Sequence, residues 1–220
     1  MLRLNRLRNV LLQGVSSLDI HSVLKLLSDK RPIFHSEADF QFALARKIVD
    51  EYPDSHVRLE YPVHLAQDKS GRSEPGSTHL DMWVENGSTR TALELKYKKH
   101  DLVANVRCEN FSMTRDKKHT EFVPEFVSDV RKIEQINKKR PDVNGYVILI
   151  TNDHLYWEAG RKNSFEGTLH DVIAKNSGKT PREISHSYDL HWKDYSCVKD
   201  TKNRIHMFRY LLVEIPPVTS

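Results

Sequence analysis

Apolar and polar residues alternate in two neighbouring runs, His79 to Glu85 and Arg90 to Lys98, on either side of Asn86-Gly87. That pattern predicts two strands joined by a tight hairpin. Successive strand side chains point to opposite faces. Leu80, Met82 and Val84 are therefore expected on one face, with His79, Asp81 and Trp83 on the other. In the second run Leu93, Leu95 and Tyr97 alternate with Glu94, Lys96 and Lys98. If the apolar faces meet the core, Asp81, Glu94 and Lys96 emerge together on the opposite, exposed side. A two-residue loop at Asn86-Gly87 sets Asp81 opposite Ala92 and Glu94 opposite His79, whereas a loop from Asn86 to Thr89 sets Asp81 against Glu94. In the second register their Cβ atoms are about 5 Å apart.

Elsewhere the period is mostly helical or strand-like. Leu2 to Leu27 reads as one or two amphipathic helices with Asp19 as a cap for the second. This arm either packs on the core or offers a dimerisation surface. Ser36 caps a helix that runs to about Tyr52 and buries Phe40, Ala43, Leu44 and Ile48; Glu37 and Gln41 share one of its faces. Val57 to Leu65 is a strand that Pro62 assigns to an edge or a bulge. Ala66 to Ser77 is a Gly-, Pro- and Ser-rich loop. His100 to Thr120 shows no clear period and reads as a functional loop. Glu121 to Lys139 is a long helix with Phe122, Phe126, Val130, Ile133 and Ile136 as its buried stripe. Tyr146 to Thr151 is an apolar strand buried on both faces. Beyond it come a helix around Phe165 to Lys175, strand signals between Ile184 and Tyr195, and a strand from Ile205 to Ile215.

Composition narrows the class without naming a function. The chain has 220 residues, 38% hydrophobic and 29% charged, enough for one domain with elaborations. A net charge of +4 permits nucleic-acid binding. Cys108 and Cys197 stand in no metal-binding or disulfide pattern, which fits a reducing cytoplasm. No apolar run approaches the length of a membrane span. His186, His191 and His206 form no recognisable ligand spacing.

The chemistry concentrates at the hairpin. Neighbouring carboxylates raise one another's pKa unless a cation lies between them, and Mg²⁺ typically takes one or two protein carboxylates and keeps several waters. A lysine beside such an ion orients a water or stabilises charge on a phosphate. Asp81, then Glu94-Leu95-Lys96 thirteen residues on, with Glu37 near the start of an upstream helix, resembles the PD-(D/E)xK nuclease superfamily over roughly Phe34 to Asp153. Leu80 stands where that signature nominally has proline. The resemblance implies an α/β (α+β) fold with a restriction-endonuclease-like core: a mixed central sheet flanked by helices. Residues 1–31 would then be an N-terminal helical arm, 32–153 the nuclease core and 154–220 a C-terminal elaboration of the same domain. It further implies that Asp81, Glu94 and the Leu95 carbonyl bind Mg²⁺, which Mn²⁺ can replace. Lys96 would assist the nucleophile and Glu37 would support the site.

The activity expected on this basis is metal-dependent endonucleolytic cleavage of DNA, of the restriction or defence type. The bound DNA would be contacted by Gln41, Lys98, Arg115, Lys117, Lys118, Lys132 and Gln135, and a homodimer would form through the N-terminal helices. Two alternatives stand beside it: a catalytically silent module of the same fold that binds nucleic acid or protein, and a metal-dependent enzyme acting on RNA or a nucleotide.

Overall fold

A computed structural model describes residues 17–63, 78–116, 119–161, 164–176 and 184–218. In chain order the elements are α1 (Ile20–Lys30), α2 (Glu37–Glu51), β1 (Ser55–Val63), β2 (Thr78–Asn86), β3 (Thr89–Lys98), β4 (Leu102–Val106), β5 (Glu109–Met113), α3 (His119–Lys139), β6 (Val143–Thr151), α4 (Leu169–Lys175), β7 (Trp192–Lys199) and β8 (Ile205–Ile215). A short 3₁₀ turn, His154–Tyr156, follows β6. Asp19 caps α1 through the Ser22 N–H, and Ser36 caps α2 through the Asp39 N–H, as their side-chain chemistry dictates. The expected amino-terminal helix before residue 17, the Ala66 to Ser77 loop, and Lys117 and Lys118 lie outside the described residues.

Six strands form one mixed sheet in the order β1-β2-β3-β6-β8-β7. Only β3 and β6 run parallel; the other pairs are antiparallel. Helices cover both faces. On one, Val23, Leu24 and Leu27 of α1 and Phe40, Leu44 and Ile48 of α2 pack with Met82, Val84, Leu93, Leu95 and Tyr97. On the other, Phe122, Phe126, Val130 and Ile133 of α3 pack with Trp83, Ala92, Val147 and Leu149. The α1 helix thus shares a core with the sheet. Strand β6 is sealed between both layers, which explains its nearly unbroken apolar run. Pro62 sits on β1, the edge strand, where a missing N–H leaves no ladder bond unmade inside the sheet.

Three expectations are corrected. The stretch from His100 to Thr120 is largely ordered: β4 and β5 pair as a two-stranded ribbon, with Leu102, Ala104, Phe111 and Met113 buried against the first core. Each strand is only five residues long, too short for its alternation to stand out in the sequence. The apolar side chains of β2 do not all share a face either. Met82 and Val84 enter the first core, while Leu80 joins Trp83 in the second. Finally, the face opposite the first core is not open to solvent, because α3 covers it.

The reversal at Leu80 has a local cause. The β1–β2 ladder runs from Ser55↔Asn86 to Leu59↔Met82, skips Glu60 opposite Asp81, and resumes at Tyr61↔Leu80. Glu60 has φ +49°, a left-handed conformation unusual for a residue with a side chain. On the other side, β2 pairs with β3 only from Asn86↔Thr89 to Met82↔Leu93. The turn is Gly87-Ser88, with Gly87 at φ +59°, and its register carries Asp81 toward Glu94. Beyond Met82 the two strands part.

The contact between α3 and β6 is close enough to test. Gly145 lies where a Cβ would overlap Cγ2 of Ile133 and stand 3.2 Å from Cβ of Ile215. Gly145→Ala is expected to lower unfolding stability by about 1–3 kcal/mol through overpacking, measured by urea denaturation. An unchanged midpoint would show that α3 is not seated as described.

Candidate active site

Where β2 leaves β3, the backbone of β3 loses its partner strand, and two carboxylates take its place. The Leu95 N–H donates to Asp81 Oδ2 at 2.6 Å, and the Tyr97 N–H donates to Glu37 Oε2 at 2.8 Å. A buried N–H without an acceptor costs about 1–3 kcal/mol, so these bonds hold both acids in place. Gln41, one turn after Glu37 on α2, donates from Nε2 to the Asp81 carbonyl at 2.6 Å and to Glu60 Oε1 at 2.9 Å. It spans the gap in the β1–β2 ladder. Gln41 was expected at nucleic acid; it positions the Asp81 backbone.

Glu94 points from β3 toward α3 and is 1% exposed. Lys132 of α3 lies over it, with Nζ 2.7 Å from Glu94 Oε1 and 3.1 Å from the His79 carbonyl. Lys96, two residues along the same face of β3, meets Asp129 Oδ2 at 2.9 Å. That oxygen is buried, and the Lys96 ammonium is the charge that compensates it there. Asp129 Oδ1 is 3.7 Å from Lys132 Nζ. Four carboxylates, Glu37, Asp81, Glu94 and Asp129, therefore gather around two ammonium groups, Lys96 and Lys132. With every group ionised, two negative charges remain uncompensated.

The charges act on one another as that imbalance requires. Burial pushes the Glu94 carboxyl up to about 8, with Asp129 and Asp81 adding to the rise and Lys132 opposing it. Desolvation and like charge therefore outweigh one ammonium at hydrogen-bond distance. Asp81 is raised by burial against the Leu95 N–H and Lys96, and Glu37 is raised by burial against Lys96 and the Tyr97 N–H. Burial alone would lower the Lys96 ammonium, but Asp129, Glu37 and Asp81 together raise it. Lys96 is thus held protonated.

Two of the remaining predicted contacts, Lys98 and Arg115, are engaged within the chain. Lys98 Nζ is 3.6 Å from Glu125 and lies over the Phe122 ring. Arg115 pairs with the fully buried Asp153 at 3.0 Å. Gln135 is half-buried on α3. Lys132 belongs to the acid cluster; it was expected at a phosphate. Asp129 was missed. Its one sequence signal is a place three residues before Lys132 on a helix, which puts both on one face.

Comparisons of the chain with protein-family models, with curated proteins and with solved structures find no match. Among the described residues, no group of three or more His, Cys, Asp or Glu side chains is placed to hold a metal ion. Among the described residues, no helix is long and apolar enough to cross a membrane. Two acidic side chains and a backbone carbonyl remain a suitable hard-oxygen set, since Mg²⁺ needs only one or two protein carboxylates. The excess negative charge and the raised Asp81 and Glu94 carboxyls suit a divalent cation on the same grounds.

A raised carboxyl pKa has a defined effect on stability. Glu94 retains its proton in the folded chain at pH values where it has lost it in the unfolded one. The stability this provides is full below the ordinary glutamate value of 4.5 and is lost as pH rises toward about 8. Glu94→Gln cannot ionise. In chelator, the melting temperature of the variant relative to wild type should climb between pH 5 and pH 8, read by circular dichroism. A constant difference across that window would place Glu94 in water.

Proposed function

We propose that this chain is a metal-dependent phosphodiester hydrolase of the PD-(D/E)xK nuclease type, acting on DNA with restriction-endonuclease-like architecture. The observation that carries the reading is the gathering of Asp81, Glu94 and Lys96 at the parting of β2 and β3, with net negative charge left over. Asp81 and Glu94, with the Leu95 carbonyl, would hold Mg²⁺ or Mn²⁺. When bound there, such an ion acidifies a coordinated water and neutralises charge on a phosphate.

The chain's own residues supply the rest. Asp129, Glu37 and Asp81 favour the ammonium form of Lys96 in the metal-free chain; that ammonium would orient the attacking oxygen and stabilise the anionic phosphate. Asp129 fixes that ammonium from α3. Glu37 fixes the backbone at Tyr97, and Gln41 fixes the carbonyl of Asp81. Lys132 stabilises Glu94 in the absence of another cation and must yield part of that contact to one. Homodimerisation and the DNA partner belong to the same proposal.

The second reading, a silent binding module, is favoured by one observation: Lys132 already lies 2.7 Å from Glu94. Incubation of plasmid, single-stranded DNA and RNA with Mg²⁺ or Mn²⁺ separates the two. Wild type is expected to cleave DNA and to stop in chelator. Asp81→Ala, Glu94→Ala and Lys96→Ala should each slow cleavage by about 100-fold or more while retaining the wild-type circular dichroism. Salt-sensitive binding without cleavage of any substrate would establish the module, and preferential cleavage of RNA would move the substrate but keep the site.

A further inference from the structure

Beside the acid cluster, on the same side of the sheet, lies a cleft of about 350 Å³ lined by Tyr61, Pro62, Val63, Trp83, Ile136, Lys139 and Arg140. Its volume is in the range that takes small organic groups, about 300–1,000 Å³. Its walls are unusual in composition. Tyr61 of β1 and Trp83 of β2 stack with centroids 5.1 Å apart and planes inclined by 14°. The Arg140 guanidinium stands 5.4 Å from the Trp83 centroid and that of Arg58 stands 5.8 Å from the Tyr61 centroid. Trp83 is buried and forms the floor, while Tyr61 is half-buried at the edge strand.

The backbone break at Asp81 produces this cleft together with the acid cluster. Because the β2 phase reverses there, Leu80 and Trp83 both enter the α3 side, and Tyr61 pairs with Leu80 in register. Trp83 is two residues from Asp81, roughly 7 Å along a strand. Lys139 follows Lys132 by seven residues, two helical turns on the same face and roughly 10 Å along the axis. Flat rings and guanidinium planes flanked by cations, one nucleotide's reach from two candidate metal ligands, match the chemistry of a base with its phosphate.

We infer that this cleft binds an unpaired nucleobase of single-stranded DNA, stacked against Tyr61 and Arg140, with its phosphates directed toward Lys139 and the Asp81–Glu94 cluster. A duplex offers base edges and phosphates, but it hides the base faces that such a wall recognises. The placement of the scissile phosphate rests on the nuclease reading; the binding itself does not.

Fluorescence anisotropy in chelator tests the inference without any cleavage. Labelled oligothymidylate is compared with an abasic strand of equal length and charge, each titrated with the whole chain. Wild type should bind the thymidylate strand about 10-fold tighter, as stacking of a base on an aromatic ring provides. Tyr61→Leu should erase that preference, whereas Tyr61→Phe should keep it. Arg140→Gln should weaken both strands, the thymidylate strand more, and reduce the salt dependence. Equal affinity of wild type for the two strands would overturn the inference even if a variant failed to fold, and so would a base preference that survives in Tyr61→Leu. Base-dependent binding by a chain that cleaves nothing in Mg²⁺ would leave the cleft standing and remove the nuclease reading; cleavage without base preference would do the reverse.

Discussion

Two backbone N–H groups, those of Leu95 and Tyr97, set the terms for the candidate site. In an unbroken sheet they would bond to β2. The β2 strand departs after Met82, so their hydrogen bonds must be made to other groups. Asp81 and Glu37 accept these donors, and each is thereby fixed with its charge near the other. Satisfying the sheet and concentrating negative charge are one event. The rise in the Glu37, Asp81 and Glu94 carboxyls follows from it, because burial and mutual repulsion exceed what the backbone donors and two lysines return.

The same break shapes the surroundings. Glu60 adopts its left-handed backbone opposite Asp81, and Gln41 closes the gap left in the ladder. Past that point the strand's side chains change sides, so Leu80 and Trp83 lie under α3. An acid cluster and an aromatic, cationic cleft then adjoin on one surface. Helix α3 serves both, with Asp129 and Lys132 at the acids and Ile136 and Lys139 at the cleft.

Local pattern made much of the fold legible. The caps Asp19 and Ser36, the buried stripe of α3 and the doubly buried β6 all depend on neighbours close in sequence, and the structure contains them. Strand β8 runs from Ile205 to Ile215 as its alternation predicts. The placement of Asp81 toward Glu94 was one of two registers that the turn residues allowed. What could not be read is what another element decides. A strict two-residue period puts Leu80 with Met82, and only pairing with β1 and β3 reveals the reversal. Exposure of Glu94 depended on whether a helix lies over it. Asp129 enters the site because α3 crosses β3, a fact no local spacing contains. The cleft at Tyr61 and Trp83 joins side chains from three elements, and it too lay beyond a local reading.

Calorimetric titration of the metal-free chain with Mn²⁺ puts the central claim to its most direct test. If Asp81 and Glu94 face a common point with unbalanced negative charge, wild type should bind a single ion with release of protons, and Asp81→Asn and Glu94→Gln should each abolish that binding. Absence of binding to wild type, or binding that survives both substitutions, would contradict the account.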